Sequence, residues 1–510
     1  MNLKRASGIL MHISSLPGRY GIGDMGKNAY EWVDFLDSAG VKYWQILPLN
    51  PIGYGNSPYQ GLSAFAGNSL FIDLEDLCEL QLLAKSELAQ SPQFPLQKVD
   101  FQKVNFWKSG ILKQAFRNFS THKNRMLKNQ YDDFITQNAS WIKDYSLFMA
   151  IREEFNLVGW NNWPEELRVR NPHALLSFEK AHLEKVELHT FLQFIFTRQW
   201  SKLKAYVNFK GIQLIGDIPI FLGYDCADVW AYPQLFQMDQ NLEPTAVAGV
   251  PPDFFSETGQ LWGNPLYDWD IHKRENFAWW IRRVKETLKT VDLIRLDHFR
   301  GFAGYYRIPA GSKTAENGEW VPGPGKHLFD AIQAEIDNLP FIAEDLGVIT
   351  PDVIELRERY NLPGMRLFQF AFWENADDEF LPHNYRENCV AYTGTHDNDT
   401  SVSWYKLAPE HEKRFCASYL GYHTRDIAHE MIRAVWQSSA LIAIAPMQDF
   451  LRLGGWTRMN LPATTKSNWQ WRMKPDAVKE DLIKWIKEIN ITYNRVSDDK
   501  NWSAKKYFSS

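Results

Sequence analysis

Eight short runs of apolar or β-branched residues, each closing on polar ones, recur along the chain at 8–14, 43–48, 213–220, 293–299, 341–345, 365–372, 389–397 and 441–449. Unbroken apolar runs of this length suit strands buried on both faces, as in a parallel sheet. Between them the pattern switches to helical period. Ala29, Trp32, Val33 and Leu36 share one face of a helix that Gly40 ends, and Phe277, Trp280, Ile281, Val284 and Leu288 share a face of another. A third helix opens at Thr350 with Pro351 in its first turn, where a missing N–H is tolerated. Strand–helix alternation repeated eight times predicts an α/β protein, a (β/α)₈ TIM barrel.

Two stretches exceed the plain repeat. Residues 73–211 separate the second and third strands by far more than one helix and read as a mainly helical insertion, with Trp160, Trp163 and Pro164 in a turn. Residues 223–271, rich in Pro, Gly and aromatics, form a second excursion, and long loops of this kind usually carry function. Long loops are thus expected after strands 3 and 4. With no repeat, low-complexity tract or Ser/Gly linker, residues 1–510 read as a single catalytic barrel domain.

Charge then narrows the partners. Against 56 Lys and Arg stand 61 Asp and Glu, and this mild acidity offers no footprint for nucleic acid or an anionic membrane. Cys78, Cys226, Cys389 and Cys416 form no CxxC pair, which suits reduced thiols in a cytoplasm. The basic start at Lys4 and Arg5 is followed by an apolar run that stops at His12, too short for a signal peptide. No stretch reaches the roughly 20 apolar residues of a transmembrane helix. The 21 tryptophans are either core rings or stacking platforms for sugars, and composition does not separate the two.

In such barrels the chemistry sits at the C-terminal strand ends. There the chain is acidic: Asp217 on the third strand, Arg295-Leu296-Asp297-His298 on the fourth, Glu344-Asp345 on the fifth and His396-Asp397-Asn398-Asp399 on the seventh. Singly, each carboxylate is readily a cap or an ion-pair partner. Gathered on one rim, like charges cost energy unless they perform work. That work reads as glycoside cleavage with retention. Asp297 would attack the anomeric carbon, and Glu344 would protonate the leaving oxygen and then deprotonate the incoming hydroxyl. Asp397 would hold sugar hydroxyls as the ring flattens. Arg295, two residues before Asp297, shares its side of the strand and would align it, while His396 would donate to a sugar hydroxyl. A binuclear metal site built from His12, His298, His396 and several Asp is the chemical competitor, but no HxH pair ends the first strand.

These residues carry a resemblance. Arg295-x-Asp297, Glu344 and His396-Asp397 match the short conserved regions of the α-amylase superfamily, and the chain more specifically resembles 4-α-glucanotransferases of the amylomaltase or disproportionating-enzyme type. The matching blocks are RASGILMHISSLPGRYGIGDMG from Arg5, PIGYGNSPYQGLSAFAG from Pro51, GDIPIF from Gly216, AGVPPDFFSETGQLWGNPLYDW from Ala248, IRLDHFRGF from Ile294, AEDLG from Ala343, GTHDNDT from Gly394 and RMNLPATTKSNWQWRM from Arg458. The resemblance implies that Asp297 is the nucleophile, Glu344 the acid/base and Asp397 the transition-state stabiliser. It implies that Tyr59, Asp217, Trp262, Arg295, His396 and Asn468 line the sugar subsites, that Tyr54 lies in a glucan-contacting loop, and that 248–269 and 458–472 cover the bound chain. After Asp217, typical α-amylases carry an Asn-His pair tied to a structural calcium. Phe221 and Leu222 stand there instead, so neither a metal nor a cofactor is expected. The expected partners are maltooligosaccharides and other α-1,4-glucans, with glucose as acceptor. Transfer is favoured over hydrolysis because covering loops exclude water, and over a catalytically silent glucan-binding protein because all three carboxylates are intact.

Overall fold

The computed structural model describes residues 3–121, 123–252, 256–373, 375–422 and 426–496. Its strands, in chain order, are β1 (Ala6–Leu10), β2 (Tyr43–Gln45), β3 (Gln213–Pro219), β4 (Ala246–Val250), β5 (Gln260–Pro265), β6 (Leu293–Asp297), β7 (Gly304–Pro309), β8 (Glu319–Pro322), β9 (Phe341–Ala343), β10 (Gly364–Leu367), β11 (Cys389–Tyr392) and β12 (Ile442–Pro446). Eight of them close into a parallel barrel in the order β1-β12-β11-β10-β9-β6-β3-β2. The barrel strands are almost wholly buried because helices cover their outer faces and side chains fill the interior. Strand packing is tight at Gly8, where a Cβ would lie 3.0 Å from both Ile444 and Tyr43 side-chain carbons.

The helical readings agree with the structure in their apolar faces. Helix Lys27–Ser38 buries Ala29, Trp32, Val33 and Leu36, and helix Ala278–Thr290 buries Trp280 and Val284. Helix Pro351–Arg359 starts from an extended Thr350 with proline in its first turn. Between β2 and β3 the chain is helical, including Phe101–Ser120, Arg125–Gln137, Ile142–Glu154 and the 27-residue Leu183–Phe209. Trp44, Trp160, Trp200, Trp230, Trp280 and Trp436 are fully buried, so much of the tryptophan excess is core. No helix among the described residues is long and apolar enough to cross a membrane.

The chain beyond β3 folds differently from a plain excursion. β4 and β5 join β7 and β8, from beyond the fourth barrel strand, in an antiparallel sheet of order β5-β4-β7-β8. Strands are also shorter than the apolar runs suggested: β10 gives way to a 3₁₀ turn at Phe368–Phe370, and β11 ends at Tyr392.

The barrel closes where β1 meets β12, with Ala6 opposite Ile442 and Leu10 opposite Pro446. The buried Arg495 guanidinium spans this seam, donating to Ala6 O at 3.1 Å and Leu441 O at 3.3 Å. Arg5 donates to Ala440 O beside it.

Candidate active site

Strand register assembles the site. Asp217 on β3 lies opposite Arg295 on β6, and Pro219 lies opposite Asp297. Arg295 and Asp297, two apart on one strand, face the same way. Leu296 lies opposite Ala343 on β9, which brings Glu344 alongside Asp297. The result is a bridge: Arg295 Nη1 donates to Asp217 Oδ1 and Oδ2 at 3.0 and 2.8 Å and to Asp297 Oδ1 at 2.8 Å. Burial penalises the Arg295 cation, but Asp217 and Asp297 outweigh that and drive its pKa well above normal. Burial pushes Asp217 up to about 6 despite the opposing pull of Arg295.

The bridge extends further. Tyr59 OH donates to Asp217 Oδ2 at 2.8 Å and lies 3.4 Å from His396 Nδ1, with its ring stacked on the imidazole at 4.9 Å between centroids. His396 Nε2 is 3.3 Å from Asp397 Oδ2. Asp297, Arg295, Asp217, Tyr59, His396 and Asp397 thus form one continuous polar chain around the rim. Asp397 sits deep among neighbouring atoms, yet its side chain remains 42% exposed to the cleft. That crowding alone would raise its pKa. His396, then Asn460 and Arg295, outweigh it and hold the group at about 2.

Glu344 is set up oppositely. Burial, with the Asp297 charge adding to it, pushes its pKa up to about 8 against the pull of Arg295 and the His298 N–H. That N–H reaches Glu344 Oε2 at 2.6 Å because His298 adopts a left-handed φ of 52°. A non-glycine in this region usually costs about 1–3 kcal/mol and is found where surrounding structure enforces it. The His298 ring meets Trp262 edge to face at 4.8 Å. Burial pushes His298 down to about 4, so the ring is neutral near pH 7.

Not every acid on the rim belongs to this group. Asp345 is buried away from it, accepting from Met365 N at 2.7 Å and pairing with Arg357 and Arg366. Asp449 accepts from Ser401 N, Ser401 Oγ and Thr393 Oγ1, each at 2.7 Å. Asn468 spends its carboxamide within its own loop, accepting from Leu461 N and donating to Thr464 O. Tyr54 is 79% exposed on the turn Tyr54–Asn56. His12 accepts from Leu47 N at 3.3 Å. Residues 253–255 of the 248–269 segment lie outside the described residues.

Two residues absent from the sequence reading join the site. Asn460 Nδ2 donates to Asp397 Oδ1 at 2.6 Å. Trp469 lies 5.8 Å from the Tyr59 ring and 5.9 Å from His396. Both fall in the 458–472 block, and that block was the only signal for them.

A closed (β/α)₈ barrel that gathers a guanidinium-bridged carboxylate pair and two further carboxylates on one rim has the layout of an enzyme that works on glycosidic bonds. The chain belongs to the 4-alpha-glucanotransferase family, whose profile matches residues 11–478. It is 47% identical to the 4-alpha-glucanotransferase of Synechocystis sp., over 96% of this chain and 98% of that protein. It is 47% identical to that of Thermus thermophilus, over 93% and 96%. Among solved structures, amylomaltase from Streptococcus agalactiae in complex with acarbose matches with a TM-score of 0.94 and 39% identity, over 97% of this chain and all of that one. The activity is the family's, a retaining transfer of α-1,4-glucan segments.

Proposed function

We propose that Asp297 is the nucleophile of this transfer, Glu344 its acid/base and Asp397 its transition-state stabiliser, with glucose or the 4-hydroxyl of another glucan as acceptor. The observation that carries the reading is the contrast between the two neighbouring acids. Asp297 is paired with Arg295 at 2.8 Å, while burial keeps the Glu344 acid protonated at neutral pH.

Arg295 engages Oδ1 of Asp297, which leaves Oδ2 to attack the anomeric carbon. The C–O bond to the leaving glucan breaks as the Asp297 ester forms. The proton for that oxygen comes from Glu344. Its Oε2 accepts the His298 N–H and so acts as the carbonyl oxygen, leaving the proton on Oε1. In the second half, Glu344 removes a proton from the acceptor hydroxyl, which attacks the same carbon and releases Asp297. Asp397, ionised and open to the cleft, meets the sugar hydroxyls as positive charge develops on the ring. Tyr59, Asp217, Arg295, Trp262 and His396 line the sugar sites, with Asn468 shaping the covering segment and Tyr54 touching chain further out. Residues 1–510 act as one catalytic unit, with 73–211 as a helical subdomain and 223–271 over the site. Its place of work is the cytoplasm, in keeping with four free thiols.

Incubation with maltotriose alone tests this. The expected products are glucose, maltopentaose and longer chains, with little net gain in reducing ends. Glucose and maltose rising together with reducing ends, and no longer products, would make water the acceptor. Transfer requires positioning to beat water at roughly 55 M, which well-oriented groups with effective molarities of about 10⁵–10⁸ M can do.

A further inference from the structure

Asn460 and Arg458 both reach Asp397. Besides the 2.6 Å bond from its side chain to Asp397 Oδ1, Asn460 donates its backbone N–H to His396 O at 3.0 Å. Arg458 donates through Nη2 to the main-chain oxygen of Asp397 and through Nε to Asn460 O at 2.7 Å. One guanidinium therefore ties the two backbones together. On the opposite side, His396 Nε2 approaches Asp397 Oδ2. A carboxylate with a donor on each oxygen cannot rotate about its Cβ–Cγ bond without breaking one of them, and the Asp397 side chain is still 42% exposed. The span carrying Asn460 is moored at its far end as well. Val99 N donates to Gln470 O at 2.7 Å, and buried Arg472 donates to Pro95 O and Gly18 O.

We propose that Asn460, steadied by Arg458, is a positioning residue for the transfer reaction, fixing the plane of the Asp397 carboxylate against the reacting sugar. This rests on the role given to Asp397 above. Arg295, His396 and Asn460 are the groups that oppose the effect of burial on that carboxylate. Removing Asn460 frees one oxygen, and an aspartate in its place sets two carboxylates in contact.

Asn460→Ala and Asn460→Asp, assayed on maltotriose beside Asp397→Asn, test the proposal. Misplacing a group in contact with the reacting sugar should lower kcat by roughly 10–100-fold. KM should stay within about twofold, because ground-state binding is spread over many contacts. Asn460→Asp should lose more than Asn460→Ala, and its acid limb of kcat/KM should move to higher pH as the paired carboxylates share a proton. Turnover within about threefold of wild type in both variants overturns the proposal. So does an equal loss in both with an unmoved acid limb, since that is bracing of the 458–472 span alone. Should Asn460→Ala fail to fold, the isosteric aspartate variant decides through its acid limb. If Asp397→Asn keeps near-normal turnover, the assignment of Asp397 fails; if it is inactive while the Asn460 variants match wild type, only the present inference fails.

Discussion

Replacing Glu344 by glutamine should stabilise the fold increasingly as pH rises. In the folded protein, burial and the Asp297 charge raise Glu344 to about 8, whereas an unfolded glutamate titrates near 4.3. Between those values the folded state holds a proton that the unfolded state has released. The favourable contribution is therefore complete below about pH 4.3 and is lost as pH climbs through about 8. The slope is at most about 1.4 kcal/mol per pH unit for one proton. Glutamine is neutral throughout, and its Oε1 can still accept the His298 N–H that Glu344 now takes at 2.6 Å. The stability gap between Glu344→Gln and wild type should thus widen by about 2–3 kcal/mol from pH 6 to pH 8 and then level off. Urea-unfolding midpoints, read by tryptophan fluorescence where refolding is complete, would show it. A gap constant across that window would mean that Glu344 is ionised in the folded protein, and the argument for its acid role would collapse.

The same variant should stop turnover on maltotriose, yet with α-glucosyl fluoride, whose leaving group needs no proton, it should accumulate an Asp297-linked glucosyl enzyme visible by intact-mass spectrometry. Asp297→Asn should abolish turnover on both donors while calorimetry still detects maltooligosaccharide binding; near-normal activity would remove the nucleophile assignment. Tyr59→Phe keeps the ring stacked on His396 but deletes the 2.8 Å bond to Asp217. It should lower kcat/KM by roughly 10–100-fold, the value of a bond to a charged group, and a loss under twofold would make that hydroxyl incidental. Gly364→Ala should destabilise the protein by about 1–3 kcal/mol on thermal melting, because the added Cβ would lie 2.5 Å from Asp345 Oδ2.

The barrel was legible because its strands are buried on both faces, so apolar runs mark them without any need for partners. Their ends were less so. The strand read from Cys389 through to Asp397 stops at Tyr392, where the apolar run itself gives way to Thr393 and Gly394, and His396 and Asp397 stand on the turn beyond it. The sheet β5-β4-β7-β8 went unread because its strands are of mixed exposure and the pair that joins its two halves, β4 with β7, is separated in sequence by the barrel strand β6. Neighbouring acids were hard to sort for a related reason. Glu344 and Asp345 are adjacent, so they point opposite ways, one to the cleft and one to Arg357 and Arg366. Parity separates them only once the strand's orientation is known. Asn460 carries no charge, and only its place opposite Asp397 reveals it.

The seam between β1 and β12 bears on how this chain is made. β1 leaves the ribosome well before β12, roughly 20–90 s earlier at synthesis rates of about 5–20 residues per second. Until Ile442 arrives opposite Ala6, a partly assembled barrel carries two open parallel edges, the kind of surface that pairs with other chains. Arg495 follows later still and clasps both sides at once. Nascent chains stalled just short of β12 should therefore be the species that chaperones hold longest.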